Sequence, residues 1–331
     1  MNAGTPYSEL SPEVVLDAIE AIGHPCDGRV LALNSYENRV YQIGIEGGEP
    51  VIAKFYRPGR WSDAAIREEH AFSAELAAHE IPVVAPLAQR GAAEVPTSLH
   101  IHRGFRYAVF PRRGGRWPEL GTAADREWVG RFLGRIHGVG RAGRFHDRKR
   151  LSVEELGRAS RDFVLDGDWM PDYLATKYAD LTDELLEEIE RQADGWGGAR
   201  VGRILGDCHR GNILWTELGP HFVDLDDCLT GPAIQDIWML LAGGQQEMRT
   251  QVSDLLQGYE QFLPFDRSEL ALIEPLRALR MIHYSAWLAR RWDDPAFPRA
   301  FPWFAEPRYW EEHYRALEDQ LAAVMGPRLE L

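Results

Sequence analysis

The feature that most narrows the fold is a change of hydrophobic period about one third of the way along the chain. Before Pro111 the apolar residues alternate in short runs; after it they recur mostly at three- and four-residue spacing. Three runs, 29–33, 39–44 and 51–56, read as strands, and the turn Glu46-Gly47-Gly48-Glu49-Pro50 makes the last two an antiparallel pair. A helix capped by Ser11, with Pro12 at its first position, precedes them and ends at Gly23. Ser62 caps a long helix reaching residue 79, and strands are expected at 97–102 and 105–110. Beyond the break at Pro111-Arg112-Arg113-Gly114-Gly115, Thr122 and Ser152 open capping boxes, with Asp125 and Glu155 as their acids. Residues 181–189 carry a helical stripe, and further helices are expected over 234–242, 248–262, 267–292 and 308–325. One β insert interrupts them, at 201–205, 213–215 and 221–225, and a helix is expected to start within Gly231-Pro232-Ala233-Ile234-Gln235-Asp236. The pattern predicts an α+β, bilobal chain: a small β-rich lobe with one long helix (1–110) and a larger, mainly helical lobe (111–331). A cleft lies between them.

Chemistry-bearing residues concentrate in the β insert. Leu205-Gly206-Asp207-Cys208-His209-Arg210-Gly211-Asn212 puts an aspartate on a loop after a strand with an asparagine five positions later, and Phe222-Val223-Asp224 returns a second aspartate at the end of a hairpin. A carboxylate to accept a hydroxyl proton, plus hard oxygen donors for Mg²⁺, is what phosphoryl transfer requires. The small lobe supplies a cation. Of 37 basic residues only Lys54, Lys149 and Lys177 are lysine, and Lys54 alone sits between apolar neighbours, in Val51-Ile52-Ala53-Lys54-Phe55-Tyr56. A compact ammonium on a strand facing a cleft suits nucleotide phosphates. Glu69, on the apolar face of the next helix with Phe72 and Leu76, needs a buried partner. Lys54 is the obvious one, and Glu69 is favoured over its more solvent-facing neighbour Glu68.

This arrangement resembles the aminoglycoside phosphotransferase / choline kinase branch of the protein-kinase-like fold across nearly the whole chain. The stretches Leu33-Asn34-Ser35-Tyr36-Glu37-Asn38-Arg39-Val40-Tyr41-Gln42, Lys54-Phe55-Tyr56-Arg57-Pro58, Glu274-Pro275-Leu276-Arg277-Ala278 and Arg290-Arg291-Trp292-Asp293-Asp294-Pro295-Ala296-Phe297-Pro298 look like the bacterial stress response kinase A family. That resemblance implies an ATP- and Mg²⁺-dependent serine/threonine protein kinase of the cytosol, tied to envelope stress and long-term survival. By it, Asp207 is the proton acceptor, Asn212 and Asp224 bind Mg²⁺, and Ser35 lies at the ATP phosphates; the wider fold adds Lys54 and Glu69. Two departures stand out. Leu205 replaces the histidine of the usual His-Gly-Asp, and the loop 34–39 has no glycine where a G-x-G-x-x-G would sit. Backbone N–H groups and the Ser35 hydroxyl would then cradle the phosphates.

Around this core several residues have quieter readings. His209 and Asp236 are expected to hold the loop, and Cys208 and Cys228 to be small buried residues. Asp226 could reach a second Mg²⁺ or the substrate. Arg112, Arg113 and Arg116 border the cleft entrance, as solvated rim or as anion contacts.

Charge and length set outer limits. The net charge of −14 argues against a general binder of nucleic acid or of anionic membrane. The first residues, Met1 to Pro6, carry no basic-then-apolar leader, and no apolar run approaches the roughly 20 residues of a membrane helix. Three cysteines (Cys26, Cys208, Cys228) without metal-ligand spacing suit a reducing cytosol, and a monomer is expected. The acceptor is less defined. From Asp224 to Asp236 is only 236 − 224 = 12 positions, short for a peptide-laying activation segment, which favours a small-molecule alcohol. The resemblance favours a protein serine or threonine. By charge, basic peptides and cationic small molecules are the plausible acceptors; a nucleotide-binding regulator without turnover is the non-enzymatic alternative.

Overall fold

In the computed structural model, residues 6–88, 96–193 and 201–331 are described; Met1 to Thr5, where a leader was sought, lie outside them. The small lobe is a five-stranded antiparallel sheet ordered β1-β2-β3-β5-β4, built from β1 (Cys26–Ala32), β2 (Arg39–Ile45), β3 (Val51–Phe55), β4 (His100–His102) and β5 (Phe105–Pro111). Lys54 pairs with Val40 on one side and Ala108 on the other, in the middle of the sheet. Helix α1 (Pro12–Glu20), capped by Ser11 as expected, covers one face with Val15, Ala18 and Ile19. Helix α2 (Asp63–Ala78), capped by Ser62, is two-sided: Ile66 packs near the sheet with Tyr56 and Ala108, while Phe72 and Leu76 enter the core of the large lobe.

A backbone bridge joins the lobes, where Val84 N donates to Phe222 O and Phe222 N to Pro82 O; within the large lobe, the segment after Pro111 pairs Arg116 with Trp215 through two hydrogen bonds. The large lobe contains α3 (Ala123–Ala142), with its complete Thr122–Asp125 capping box, then α4 (Ala159–Leu165), entered through a wide π-type turn at Glu154–Arg158, and α5 (Asp172–Ala193). After the β insert come α6 (Ile234–Trp238), α7 (Gln245–Tyr259), α8 (Ile273–Arg290), α9 (Ala296–Ala300) and α10 (Pro307–Met325). Residues of α5, α8 and α10 share a second apolar core, with Trp310 and Tyr178 fully buried. No helix among the described residues is long and apolar enough to cross a membrane.

Three local expectations change. The run 267–292 splits into a 3-10 turn at Arg267–Leu272 and α8, because Pro275 lacks an N–H and fits only in the first turn of a helix. Within the run 231–236 the helix begins at Ile234, while Gly231-Pro232 ends a strand, β9 (Leu229–Pro232), paired with β6 (Val201–Ile204), a contact between residues 25 to 31 positions apart that no local pattern announces. The hairpin of β7 (Ile213–Thr216) and β8 (Gly219–Phe222) stops two residues short of Asp224, which turns out of the strand at φ +55°. That left-handed conformation is one aspartate tolerates better than most residues.

Two buried histidines make stability depend on pH. His70, between Tyr56 Oη (2.7 Å) and Ser98 Oγ (2.8 Å), is pushed down to about 3 by burial, and His313 to about 4 for the same reason. An unfolded histidine takes up a proton near pH 6.5 and these two do not, so the unfolded state binds more protons and acid favours it. Each histidine lowers stability between pH 6.5 and 5 with a limiting slope of about 1.4 kcal/mol per pH unit, and the two together outweigh the opposite contribution of Glu69, which burial raises, so stability is expected to fall over that range. Urea unfolding midpoints across that range check this; a flat or rising midpoint would contradict it.

Candidate active site

Strand β6 runs into the loop that carries Asp207, and the chain can turn there only because residue 206 is glycine. Gly206 has φ +81°, and a Cβ on it would come within 2.2 Å of Asp227 O. The loop is held from behind by Asp236, fully buried, whose two oxygens accept from Leu205 N (2.8 Å) and Gly206 N (2.7 Å). His137 of α3 hydrogen-bonds Asp236 (3.0 Å) and Tyr259 Oη (3.1 Å) on its other nitrogen. Gln235 Nε2 donates to Gly206 O. Leu205 itself packs in the core, so the support a histidine would give there comes instead from Asp236, Gln235 and, one step back, His137. His137 was not singled out in the sequence: it reads as one more position of an amphipathic helix.

In front, Asn212 Nδ2 donates to Asp207 O (3.0 Å), which turns its Oδ1 away from that carbonyl, and Gly211 N donates to His209 Nδ1 (2.9 Å). His209 thus braces the loop, as expected, with its Nε2 3.5 Å from Asp207. Asn212 O accepts from Val223 N, tying the loop to the residue before Asp224.

Lys54 is the meeting point. Its ammonium lies 2.9 Å from Asp224, 3.1 Å from Asp226 and 3.4 Å from Glu69. Burial alone would drive the ammonium towards neutrality; the three carboxylates overcome it and hold its pKa well above the ordinary lysine value. Burial raises Glu69, against the pull of Lys54. Asp226 is held ionised despite burial by Arg60, Lys54 and Arg148, and it also accepts from Asn38 Nδ2 at 3.1 Å. Glu68 plays no part here: it accepts from the backbone N–H groups of His146, Asp147 and Arg148. Asp226, Arg60 and Arg148 complete a cluster of which only Asp226 was singled out in the sequence. The two arginines gave no signal among 34.

Asp207, Asn212, Asp224, Lys54, Glu69 and Ser35 all line one cleft of roughly 1550 Å³ between the lobes. Arg113 lines it as well; Arg112 instead donates to Gln42 and Arg116 pairs with Glu119. Cys208 and Cys228 are buried beside it, their thiols pushed up by burial, as small core residues. Asn212 and Asp224 offer hard oxygen donors, the Asp224 carboxylate 49% exposed, and this donor set fits a divalent cation such as Mg²⁺.

The glycine-free loop between β1 and β2 is strapped to the large lobe. Glu37 accepts from Trp287 Nε1 (2.6 Å) and from Arg291 Nε (2.6 Å) and Nη2 (3.0 Å), and also pairs with Arg57 at 3.2 Å. Asp294 takes Arg39 and Arg57, each at 2.9 Å, and Tyr36 packs on Phe301. The three separated motifs at 33–42, 54–58 and 290–298 thus form one contact surface.

A bilobal fold with these groups in its cleft defines a phosphotransferase of the kinase-like class. The phosphotransferase enzyme family matches residues 29–273. Stress response kinase A of Escherichia coli (strain K12) is 42% identical over 330 residues, covering 100% of this chain and 98% of that protein. The serine/threonine protein kinase RdoA of Salmonella typhimurium (strain LT2) is 43% identical over 326 residues, covering 98% and 97%. This chain therefore belongs to the phosphotransferase enzyme family, in the branch that holds stress response kinase A. Among solved structures, amicoumacin kinase hAmiN in complex with AMP-PNP, Ca²⁺ and Ami shares the fold, with TM-score 0.68 and 20% identity over 92% of this chain and 93% of that one.

Removing Glu37 from the strap leaves the largely buried Arg291 guanidinium without its carboxylate and the Trp287 indole N–H without its acceptor. Glu37→Ala is expected to lower stability by about 3 kcal/mol, read in chemical denaturation. A loss below about 0.5 kcal/mol would mean that the strap is a surface pairing of little weight.

Proposed function

We propose that this protein transfers the γ-phosphate of ATP to a serine or threonine hydroxyl of a protein, with Mg²⁺, in the bacterial cytosol and as part of a stress response. Asp207 accepts the hydroxyl proton as the oxygen bonds to the γ-phosphorus and ADP leaves. Asn212 and Asp224 hold Mg²⁺, which would neutralise charge on the phosphates. Lys54, held by Glu69, and the loop around Ser35 bind the phosphates. One observation carries the reading: residues from β3, α2, the Asp207 loop and the segment after β8 bring these groups to one cleft. The names of the relatives at 42% and 43% identity support a protein acceptor. The protein acts as a monomer.

A small-molecule alcohol is the second reading, and a specific observation favours it. Between Asp224 and Asp236 the chain is taken up by β9 and the start of α6, leaving no long segment on which to lay a peptide.

Incubation with γ-labelled ATP and Mg²⁺, with desalted and undesalted lysate, decides between them. Label on protein is expected, and label confined to the small-molecule fraction would overturn the protein reading. Asp207→Asn is expected to lower turnover at least about 100-fold while Mg·ATP still raises the melting temperature. An unchanged rate would remove Asp207 from the mechanism.

A further inference from the structure

The face of α8 that lines the cleft carries one sign of charge. Arg280, His283, Tyr284, Trp287, Arg290 and the capping Arg291 recur at i, i+3, i+4, i+7, i+10 and i+11, a single helical stripe along the cavity wall. It holds three guanidinium groups and no carboxylate, in a chain of net charge −14. Arg291 is committed to Glu37 and Arg280 to Asp207, which leaves Arg290 as the guanidinium of the stripe with no carboxylate partner among the described residues. Arg290 gives an N–H to Ala159 O (2.8 Å), lies over the Phe163 ring (4.8 Å), and has no carboxylate at ion-pair distance among the described residues. Arg280 Nη1 lies 2.7 Å from Asp207 Oδ1 and remains 40% exposed.

A second cationic segment borders the same end of the cleft. Lys149 and Arg150 are fixed by backbone hydrogen bonds from Thr230 N to Lys149 O and from Leu151 N to Thr230 O. Lys149 is shared with Glu155 (3.1 Å), whereas Arg150 is exposed and carries no ion pair among the described residues. His283, on the stripe, reports the sign of the local field: burial, then Arg290, Arg280, Arg291 and Lys149, push it down to about 3.

We propose that this end of the cleft is an anion-recognising acceptor subsite, in which Arg280, Arg290 and Arg150 read negative charge placed next to the acceptor hydroxyl, as in a serine or threonine flanked by aspartate or glutamate. The inference rests on the kinase reading of Asp207 and narrows its acceptor. It reverses the expectation drawn from net charge, which favoured basic acceptors. A cationic acceptor would meet Arg290 and Arg150, neither of which has an ion-pair partner among the described residues, whereas an acidic segment exchanges water for guanidinium contacts. It also gives Arg280 a second task. With no acceptor bound it occupies one oxygen of Asp207, and an acidic acceptor that draws the guanidinium away leaves that oxygen to the incoming hydroxyl.

The test uses the full chain with Mg·ATP and synthetic peptides holding one serine or threonine flanked by glutamate, alanine or lysine. Glutamate-flanked peptides are expected to exceed alanine-flanked ones in kcat/KM by about tenfold or more, with lysine-flanked ones last, and the advantage should shrink as salt rises. Arg290→Ala and Arg280→Ala should raise KM for the glutamate peptide by about tenfold with KM for ATP little moved, and Arg280→Lys should restore part of the loss. Arg150→Glu, a change at an exposed position, should narrow the preference for acidic over basic flanks. A preference for lysine, indifference to flanks, or a KM effect confined to ATP would overturn the subsite. Should no peptide accept phosphate, the protein reading fails, and lysate metabolites fractionated by charge before the reaction decide the rest: label arising in the anionic fraction supports the subsite, and label from the cationic or neutral fraction overturns it.

Discussion

A single ammonium holds this architecture together. Lys54 sits in the centre of the small-lobe sheet with almost no exposure, and an isolated cation there would be untenable. It is tenable because Glu69 of α2 and Asp224 and Asp226 of the large lobe converge on it. The partners come from two elements other than its own strand, so the contact that solves the burial problem of one lysine also fixes β3, α2 and the segment after β8 relative to one another. The cost of burying charge becomes a registration device between the lobes. A hydrophobic residue in its place could fill the volume but would leave three carboxylates facing one another.

The loop at 34–39 solves a related problem by different means. A glycine-rich phosphate loop approaches its ligand closely because it lacks side chains, and its freedom is then limited by the ligand. Here the loop carries Ser35, Tyr36, Glu37 and Asn38, and its position is set by what those side chains grip. Glu37 is held by the indole of Trp287 and two N–H groups of Arg291, and Asn38 bridges Asp226 and the backbone of Arg57. Order that would otherwise come from bound nucleotide is built into the chain itself through the corner between α8 and α9. Preorganisation of this kind reduces the entropy lost on binding.

How much of this could be read from the sequence follows from the range of each interaction. Strands β2 and β3, the caps at Ser11, Ser62 and Thr122, and the pairing of Lys54 with Glu69 rest on local periodicity or on one unsatisfied charge, and the residues announce them. Strand β9 escaped notice because its partner lies in β6, and Gly231-Pro232 in isolation reads as a helix start. Arg60 and Arg148 escaped for a different reason: with 34 arginines in the chain, no composition signal separates the two that enter the cluster from those on the surface. The strap was visible only as three motifs of a resemblance. Nothing in the spacing of Glu37 and Arg291, 254 positions apart, shows that they touch.

Net charge is a weak guide to what binds in a cleft, for a reason that applies to enzymes generally. The excess of 14 negative charges is spread over a surface of some 16,373 Å², and at physiological ionic strength its influence decays over about 8 Å. An acceptor within the cleft therefore responds to the groups lining it. Along α8 and its cap those groups are Arg280, Arg290 and Arg291; Arg291 is paired with Glu37 and Arg280 with Asp207, and Arg290 has no ion-pair partner among the described residues. Low-dielectric walls strengthen such local charges, while screening weakens the distant ones. The sign that a substrate meets at Asp207 is thus set by one turn-by-turn choice on a single helix, and it runs opposite to the sign of the whole molecule.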